Sequence, residues 1–208
     1  MYKNTEYKRV GGIDTVYKLF RSVLIPLFRL LFNPVIVNAD YIPKVGAAVL
    51  AGNHKHALDP VLVDCCTKRT VHTLAKKELH NGKLGWFFRG IGSIPVDLKA
   101  DKNKDALVSA IACLNKGALI NVSPEAKRNY TAEILLPFKF GAVVMAKRTG
   151  SVIVPYSITG GYTFRSKDLK VVFGKPLDIS ELTAEDANGL LFCTIRQLII
   201  DNKARGEE

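Results

Sequence analysis

The sequence is poor in cysteine, and its four cysteines form no recognisable framework. None of them makes a C-x-x-C pair. Cys65 and Cys66 are adjacent in a predicted helix, which places them badly for bridging each other. This pattern argues against a disulfide-stapled fold, and we expect buried free thiols in a reducing compartment.

The sequence also lacks an uninterrupted apolar run long enough to span a membrane. Its most apolar segment, residues 13–32, contains Arg21, Pro26 and Arg29, whereas a spanning helix needs about 20 mostly apolar residues. No small-x-small cleavage site follows, so a signal peptide is not expected. Apolar residues recur at helical spacing on one side of the segment. We predict an amphipathic helical segment over residues 1–33 that lies on a membrane interface, with packing on its own domain as the alternative.

Acidic residues are scarce relative to basic ones. The sequence has 19 Asp and Glu against 30 Lys and Arg, which gives a net charge of +11 and a pI near 9.5. Such a charge favours an anionic partner, which could be lipid headgroups, phosphorylated small molecules or nucleic acid. No base-reading basic helix or aromatic-rich motif accompanies the charge, so we expect an anionic membrane surface and no nucleic acid. The oligomeric state is left open.

Several catalytic signatures are missing. There is no G-x-S-x-G nucleophile elbow. Gly90-x-Gly92 lacks the third glycine of a dinucleotide loop and precedes a predicted strand. Without H-E-x-x-H or paired-cysteine spacing, we expect neither a metal nor a cofactor. The weak alternative is a metal site that draws on His54, His56, His72, His80 and Asp59.

From Pro34 onward, short apolar runs alternate with helical patterns. Strands are predicted at 35–38, 47–52, 71–75, 93–96, 118–122, 152–157 and 170–173. Helices are predicted at 60–66, 83–89, 102–116, 138–148 and 184–202. The alternation predicts an α/β domain over residues 34–208, with a largely parallel central sheet flanked by helices. In such a sheet, ligands bind at the carboxyl ends of the strands.

A histidine and a carboxylate follow the second predicted strand, in Asn53-His54-x4-Asp59. A neutral imidazole is a good base near pH 7. A carboxylate that accepts its other N–H fixes the tautomer and stabilises the imidazolium. Because Pro60 follows Asp59, the same carboxylate is predicted to cap the next helix with its second oxygen. For the pair taken alone, an ordinary turn histidine beside a cap aspartate is the alternative.

The Asn53-His54-x4-Asp59 sequence resembles the NHx4D signature of the glycerolipid acyltransferases. Three further blocks follow in that family's order, so the resemblance covers about residues 50–160. They are Gly92-Ser93-Ile94-Pro95-Val96-Asp97, Val122-Ser123-Pro124-Glu125-Ala126-Lys127-Arg128 and Ile153-Val154-Pro155-Tyr156-Ser157-Ile158.

The resemblance implies a peripheral O-acyltransferase at the cytoplasmic face of the membrane. Such an enzyme moves a fatty acyl group from a thioester donor, acyl-CoA or acyl carrier protein, to the free hydroxyl of a lysophospholipid acceptor, 1-acylglycerol-3-phosphate. His54 would be the general base and Asp59 would hold it. In Ala75-Lys76-Lys77-Glu78-Leu79, Lys76 would stabilise the oxyanion, with Lys77 nearly as good.

The resemblance also implies a set of substrate-binding residues. Arg128 offers a bidentate fork for the acceptor phosphate. Glu125 would hydrogen-bond glycerol hydroxyls or hold Arg128, and Lys99 or Lys127 would add charge. Asn53 completes the set.

Four positions depart from the family's pattern. Leu98 stands where an arginine usually follows, Ser123 replaces Phe, and Lys127 replaces Thr. Ala126 replaces Gly, which matters if that backbone requires positive φ. These departures leave two alternatives open: another lysolipid or alcohol acceptor, and a catalytically weak lipid-surface protein of the same fold.

Overall fold

The structure, a computed structural model, describes the backbone of residues 10–97 and 103–204 and the side chains of residues 17–97 and 103–204. Leu98 and the predicted substrate-binding Lys99 therefore lie outside the described residues.

A seven-stranded sheet organises the chain, and its spatial order is β1-β7-β6-β2-β5-β3-β4. The strands are β1 (Val35–Val37), β2 (Ala48–Gly52), β3 (Val71–Lys76), β4 (Ile94–Val96), β5 (Leu119–Val122), β6 (Val152–Thr159) and β7 (Lys170–Phe173). The five strands from β6 to β4 are parallel, so the predicted largely parallel sheet is confirmed. At one edge β7 is antiparallel to β6, and β1 follows the direction of β7. Residues 160–169, with no crossover helix, suffice for the antiparallel connection.

Helices cover both faces of the sheet. They are α1 (Val10–Phe32), α2 (Asp59–Asp64), α3 (Lys77–Asn81), α4 (Gly85–Gly90), α5 (Lys104–Leu114), α6 (Gly141–Thr149) and α7 (Ala184–Ala204). A 3₁₀ turn, Ala39–Tyr41, lies between β1 and β2. Each predicted helix is present, but α3 was not predicted. Its five residues are too short to show a helical repeat.

Alternate residues of the strands feed two separate apolar layers. Val49 and Ala51 of β2 point toward α5, α6 and α7. Ala48 and Leu50 point the other way, into a layer that includes Phe28 of α1 and the buried side chains of α2. Because both faces of β2 are fully buried, the strand is apolar at every position, which is typical of a central parallel strand.

One side of α1 packs on the domain while another side is exposed and apolar. Tyr17 and Phe28 are buried, at 3% and 2% exposure. Leu19, Val23, Leu27 and Leu30 are 46–68% exposed. The domain-packing alternative therefore holds for one side of α1, and a second apolar side remains free. In the described parts of the chain, no helix is both long and apolar enough to cross a membrane.

The two arginines that interrupt the apolar segment contact protein. Arg21 donates to the backbone carbonyls of Thr67 and Arg69, and Arg29 donates to that of Cys65 at 2.8 Å. These carbonyls lie at and beyond the end of α2, so both arginines hold α1 against the turn that follows α2.

The described cysteines are all free, and the expectation of burial holds for Cys65 and Cys113. It is wrong for Cys193, which is exposed on α7.

Candidate active site

The site is built where β2 ends between β6 and β5. Gly52, the last residue of β2, lies directly against the ring of Tyr156. A Cβ at Gly52 would come within 2.1 Å of that ring. Only glycine therefore brings the strand end so close to β6, and the chain turns from there into Asn53 and His54 at the carboxyl edge of the sheet.

The predicted His54–Asp59 contact is present. Nδ1 of His54 lies 2.8 Å from Oδ2 of Asp59. The His54 side chain is 26% exposed and that of Asp59 is 2% exposed. Because a carboxylate can only accept, the proton lies on Nδ1 and the lone pair of Nε2 is available for another proton.

Asp59 is held by four hydrogen bonds. Besides His54 Nδ1, its Oδ2 accepts the backbone N–H groups of Lys55 and His56 at 2.8 and 2.9 Å. Its Oδ1 accepts the hydroxyl of Tyr162 at 2.6 Å. All four contacts are donors to the carboxylate, so both oxygens of the buried Asp59 are hydrogen-bonded.

The prediction that Asp59 caps α2 is wrong. The cap position is Leu58, with no side-chain cap, and Asp59 is the first helical residue, followed by Pro60. Both oxygens of Asp59 face the loop 54–56 and Tyr162, so neither is left for the helix amides.

The backbone of His54 is fastened to the loop after β5. Its N–H donates to Oε1 of Glu125 at 2.9 Å, and its carbonyl accepts the N–H of Asn129 at 2.9 Å. Oε2 of Glu125 accepts the N–H of Leu136 at 2.8 Å. The loops after β2 and β5 are neighbours because β2 and β5 pair directly.

Glu125 therefore occupies a different position from the one expected. It is 3% exposed and binds two backbone amides. Within residues 10–97 and 103–204, no ion pair joins it to Arg128. Burial raises the pKa of Glu125, while the amides of Leu136 and His54 lower it. Glu125 therefore holds the backbone of His54 and not Arg128, and its hydrogen bonds to glycerol hydroxyls stay a prediction.

Asn53 is also engaged by backbone. Its amide exchanges two hydrogen bonds with Ile158, 2.9 Å from Nδ2 to the carbonyl and 2.7 Å from the N–H to Oδ1. This pair ties the end of β2 to β6 just before His54. Asn53 still lines a small cavity beside His54, and its predicted substrate contact stays a prediction.

The turn 123–126 directly precedes two cationic residues, Lys127 and Arg128. Ala126 has φ +58°, and its N–H donates to Ser123 O at 3.0 Å. The backbone at Ala126 therefore has the positive φ that the family's glycine accommodates, and alanine is strained at this position. Lys127 and Arg128 follow and are both exposed. The guanidinium of Arg128 lies 5.4 Å from the ring centre of Tyr130.

Lys76 does not contact the dyad. Thr73 and Leu50 are both level with Asn121 of β5, so Lys76 is at the height of Asn53 but two strands away. That separation is about 10 Å. Lys76 is exposed, and Lys77 lies 3.8 Å from Asp97. An oxyanion role for either lysine stays a prediction.

Two cavities flank the turn. The smaller, about 160 Å³, is lined by Asn53, His54, Lys55, Glu125 and Lys203 among others. The larger, about 570 Å³, lies between β3, β4, α5 and α6, and includes Ser123, Pro124 and Ala126 in its wall. Most of its lining is apolar, and Lys104, Lys139 and Arg148 also contribute to it.

Sequence reasoning missed two residues of the site, Lys55 and Tyr162. Lys55 is half-buried, and its ammonium donates to the carbonyl of Gly160. Burial lowers the pKa of Lys55, and Asp59 opposes this. Lys55 directly follows His54 within the motif, and this position is the signal that could have identified it as a site residue. Tyr162 lies 103 residues beyond Asp59, and no local pattern marks it.

Ring nitrogens of the imidazoles named as alternative metal ligands make hydrogen bonds within the protein. Nδ1 of His56 accepts the N–H of Leu58, and Nδ1 of His72 lies 2.8 Å from Gly92 O. His80 is buried against Ser93. Across the described ranges, no three His, Cys, Asp or Glu side chains are grouped to hold a metal ion.

The fold and the dyad together define an α/β protein with a base-like histidine at the carboxyl edge of its sheet. The chain belongs to the Acyltransferase family, whose sequence profile matches residues 33–159. The resemblance inferred from the motifs is thereby confirmed at the level of the family.

Curated relatives include the 1-acyl-sn-glycerol-3-phosphate acyltransferase of Borreliella burgdorferi, 26% identical over 70% of this chain and 58% of that protein. The enzyme of the same name from Helicobacter pylori is 26% identical over 64% of this chain and 54% of its own length. An uncharacterized acyltransferase of Schizosaccharomyces pombe is 30% identical over 77% of this chain and 62% of that protein. The chain thus spans between 54% and 62% of the length of these relatives.

A solved structure shares the fold. The crystal structure of the 1-acyl-sn-glycerophosphate (LPA) acyltransferase PlsC from Thermotoga maritima superposes with a TM-score of 0.73 at 24% identity. The match covers 92% of this chain and 80% of that one.

Proposed function

We propose that this protein is a peripheral membrane O-acyltransferase that acylates 1-acylglycerol-3-phosphate from a thioester donor, giving phosphatidic acid. The observation that carries the proposal is the His54–Asp59 pair, with Nδ1 held at 2.8 Å and the imidazole lining a cavity. Family membership and the names of the relatives supply the chemical context.

The proposed reaction needs one base and no acyl-enzyme. Nε2 of His54 takes the proton of the acceptor hydroxyl while that oxygen attacks the thioester carbonyl carbon. The carbon–sulfur bond of the tetrahedral intermediate then breaks, and the leaving sulfur takes the proton back from the imidazolium. Asp59 stabilises the imidazolium between the two steps. A base of this kind contributes on the order of 10²–10⁴-fold.

The acceptor phosphate is assigned to Arg128, assisted by Lys127. Both are exposed on the turn whose Glu125 holds His54, so an anion bound there lies beside the dyad. A guanidinium binds phosphate through two parallel hydrogen bonds. The half-buried Lys55 and the exposed Lys203 add positive charge to the small cavity.

The acyl chain of the donor is assigned to the larger cavity. Its volume of about 570 Å³ falls within the range of small-molecule sites, and its apolar lining suits a hydrocarbon. Lys104, Lys139 and Arg148 complement the phosphates of coenzyme A or of the acyl carrier protein's prosthetic group. The donor is a co-substrate, and the scheme uses no resident cofactor.

The exposed apolar side of α1 is assigned to the membrane interface on the cytoplasmic side. Leu84 and Trp86 of the α4 region extend it, with 59% and 64% exposure. Phe20 of α1 and Phe87 of α4 have ring centres 4.5 Å apart, which joins the two helices. Apolar side chains with a tryptophan among them, next to a basic surface, are typical of interfacial binding.

A vesicle assay tests this orientation without removing α1, whose Phe28 belongs to the core. Val23→Glu is expected to reduce co-sedimentation with anionic vesicles severalfold. Leu190→Glu, the matched change at a 40% exposed site on α7, should leave sedimentation unchanged. Equal sedimentation of Val23→Glu and the unmodified protein would contradict the assignment.

The function itself is tested by free-thiol release across a panel of donors and acceptors. Acyl-CoA or acyl carrier protein is supplied with lysophosphatidate, with a neutral lysolipid or with a simple alcohol. Thiol release that depends on lysophosphatidate supports the proposal. Thiol release with another acceptor alone would refute the assignment of lysophosphatidate as the acceptor. This outcome is worth testing because Ala126 and Lys127 depart from the family's pattern. Vesicle binding without release with any acceptor would indicate a lipid-surface protein.

A further inference from the structure

Tyr162 contacts Oδ1 of the buried Asp59 from outside the NHx4D loop. Its hydroxyl donates to Oδ1 at 2.6 Å, while Oδ2 receives His54 and two backbone amides. The bond is short, as expected for a hydroxyl donating to a carboxylate. Burial, and then the charge of Asp59, raise the pKa of Tyr162. The hydroxyl therefore stays protonated and remains a donor at neutral pH.

The ring of Tyr162 joins the dyad to α1. It stacks on His56, with ring centres 4.4 Å apart and an interplanar angle of 23°. Its other contacts are edge-on, to Phe28 at 6.3 Å and to Phe32 at 5.8 Å. Phe28 and Phe32 also touch each other, at 4.8 Å. The orientation of the phenol is thus set by the last turn of α1 and by the catalytic loop together.

We propose that Tyr162 is a positioning residue that holds Asp59 and, through its packing on Phe28 and Phe32, makes the geometry of the dyad depend on the seating of α1. The proposal rests on the proposed function of His54 as the base. It assigns Tyr162 no contact with substrate. Its hydroxyl acts on Asp59, and Asp59 acts on His54.

The hydrogen bond from Tyr162 also tempers the charge of Asp59. A donor to a carboxylate spreads its negative charge and so weakens its pull on the imidazolium. The other titratable groups near the pair include Lys55, His56, Cys65, Glu125 and Tyr156, and Lys203 lines the cavity beside His54. None of these is changed when the Tyr162 hydroxyl alone is removed.

The test is Tyr162→Phe in the full chain, which keeps the ring and removes the hydroxyl. We expect kcat to fall about tenfold, the scale of one charge-assisted hydrogen bond, with KM for the acceptor unchanged. We also expect the acid limb of kcat/KM to move up by about half a pH unit, since the imidazolium is now favoured. The His54 imidazole should show the same upward shift by NMR titration, which needs no turnover.

Tyr41→Phe is the matched control. Tyr41 is a half-buried tyrosine on the 3₁₀ turn, packed beside the same apolar layer, and its substitution should move neither kcat nor the His54 titration. Phe32→Leu is the second variant and reaches Tyr162 from α1. It should lower kcat in the same direction by a smaller factor.

The outcomes separate the two proposals. If His54→Ala retains activity, the proposed base is wrong, whatever Tyr162 does. If His54→Ala is inactive while Tyr162→Phe matches the unmodified protein in kcat, pH profile and His54 titration, the Tyr162 proposal alone is overturned. A loss of thermal stability in Tyr162→Phe without those shifts would indicate a purely structural tyrosine and would also overturn it.

Discussion

The loops that follow β2 and β5 lie side by side at one edge of the sheet, yet they are built in opposite ways. In the first, the pair His54 and Asp59 is restrained at both side chain and backbone, and Asp59 is nearly buried. In the second, Lys127 and Arg128 are exposed, and the preceding Ala126 is held at φ +58°. Glu125 belongs to the second loop by sequence but serves the first by contact.

The difference indicates how the two tasks of the site are divided. A base works best when its geometry is fixed before the substrate arrives. An exposed cation can meet a phosphate from solvent, and its contact contributes to binding the acceptor. We therefore expect changes in the first loop to lower kcat and changes in the second to raise KM.

Asp59→Asn should produce the largest effect among the variants that test this contrast. The amides of Lys55 and His56 direct the carbonyl oxygen of the new side chain to the place of Oδ2, so the His54 tautomer is kept. The charge that stabilises the imidazolium is lost, and kcat should fall about 10²-fold. Thiol-release kinetics measure this, with the exposed Asp40→Asn as the unaffected control. A rise in KM with normal kcat would break the proposed division.

Arg128→Ala should raise the KM for lysophosphatidate about 10–100-fold and leave kcat within about twofold, as expected for a lost phosphate contact. Lys175→Ala, an exposed cation after β7 at the opposite edge of the sheet, should change neither constant. An unchanged KM for Arg128→Ala would refute the phosphate assignment.

Asp64 sharpens the contrast, because its carboxyl lies partly buried beneath α1 with fewer donors than Asp59. It receives the hydroxyl of Tyr17 at 2.9 Å, and burial raises its pKa to about 7. The folded state then holds a proton that the unfolded chain releases above about pH 4. The stabilisation that the protonated Asp64 provides is therefore fully present below about pH 4 and is lost as the pH rises through about 7.

Asp64→Asn removes this loss while keeping an acceptor for Tyr17. Relative to the unmodified protein, the variant should gain unfolding free energy progressively between pH 4 and pH 8, by up to about 4 kcal/mol for a pKa raised by about three. Urea titrations at a series of pH values measure the difference. A constant offset across the range would contradict the raised pKa.

Ala126→Gly should produce the smallest effect. Left-handed backbone costs alanine about 1–2 kcal/mol, and the entropy of glycine offsets part of this. We expect a net stabilisation of about 0.5–1 kcal/mol. Ala112→Gly, at an exposed position within α5, should instead destabilise by a similar amount. If both substitutions destabilise, Ala126 is not strained.

Much of this architecture was predictable because its signals are local. Each of the seven strands coincides with a short apolar run, and β2 is apolar throughout because both its faces are covered. The positive φ of Ala126 was raised as a condition by the family's glycine at that position, and the structure meets the condition. The division at Asn33-Pro34 agrees with the end of α1 at Phe32, although a separate N-terminal unit remains a prediction.

The features that the sequence did not predict depend on contacts between residues far apart in the chain. Nothing near Glu125 shows that its carboxylate would take the His54 amide, because that depends on β5 lying beside β2. Tyr162 meets Asp59 only because β6 flanks β2 on the other side. The contacts of Arg21 with the carbonyls of Thr67 and Arg69 were not predictable, because the helical repeat cannot show which carbonyls lie beneath α1.

The central claim, that the imidazole of His54 takes the acceptor's proton, is tested most directly by thiol release from acyl-CoA by His54→Ala in the presence of lysophosphatidate. The account predicts that kcat falls by about 10²–10⁴-fold while the circular dichroism spectrum and thermal midpoint stay close to those of the unmodified protein. A folded His54→Ala protein whose kcat stays within about twofold of normal would contradict the claim, because loss of a general base should lower kcat much further.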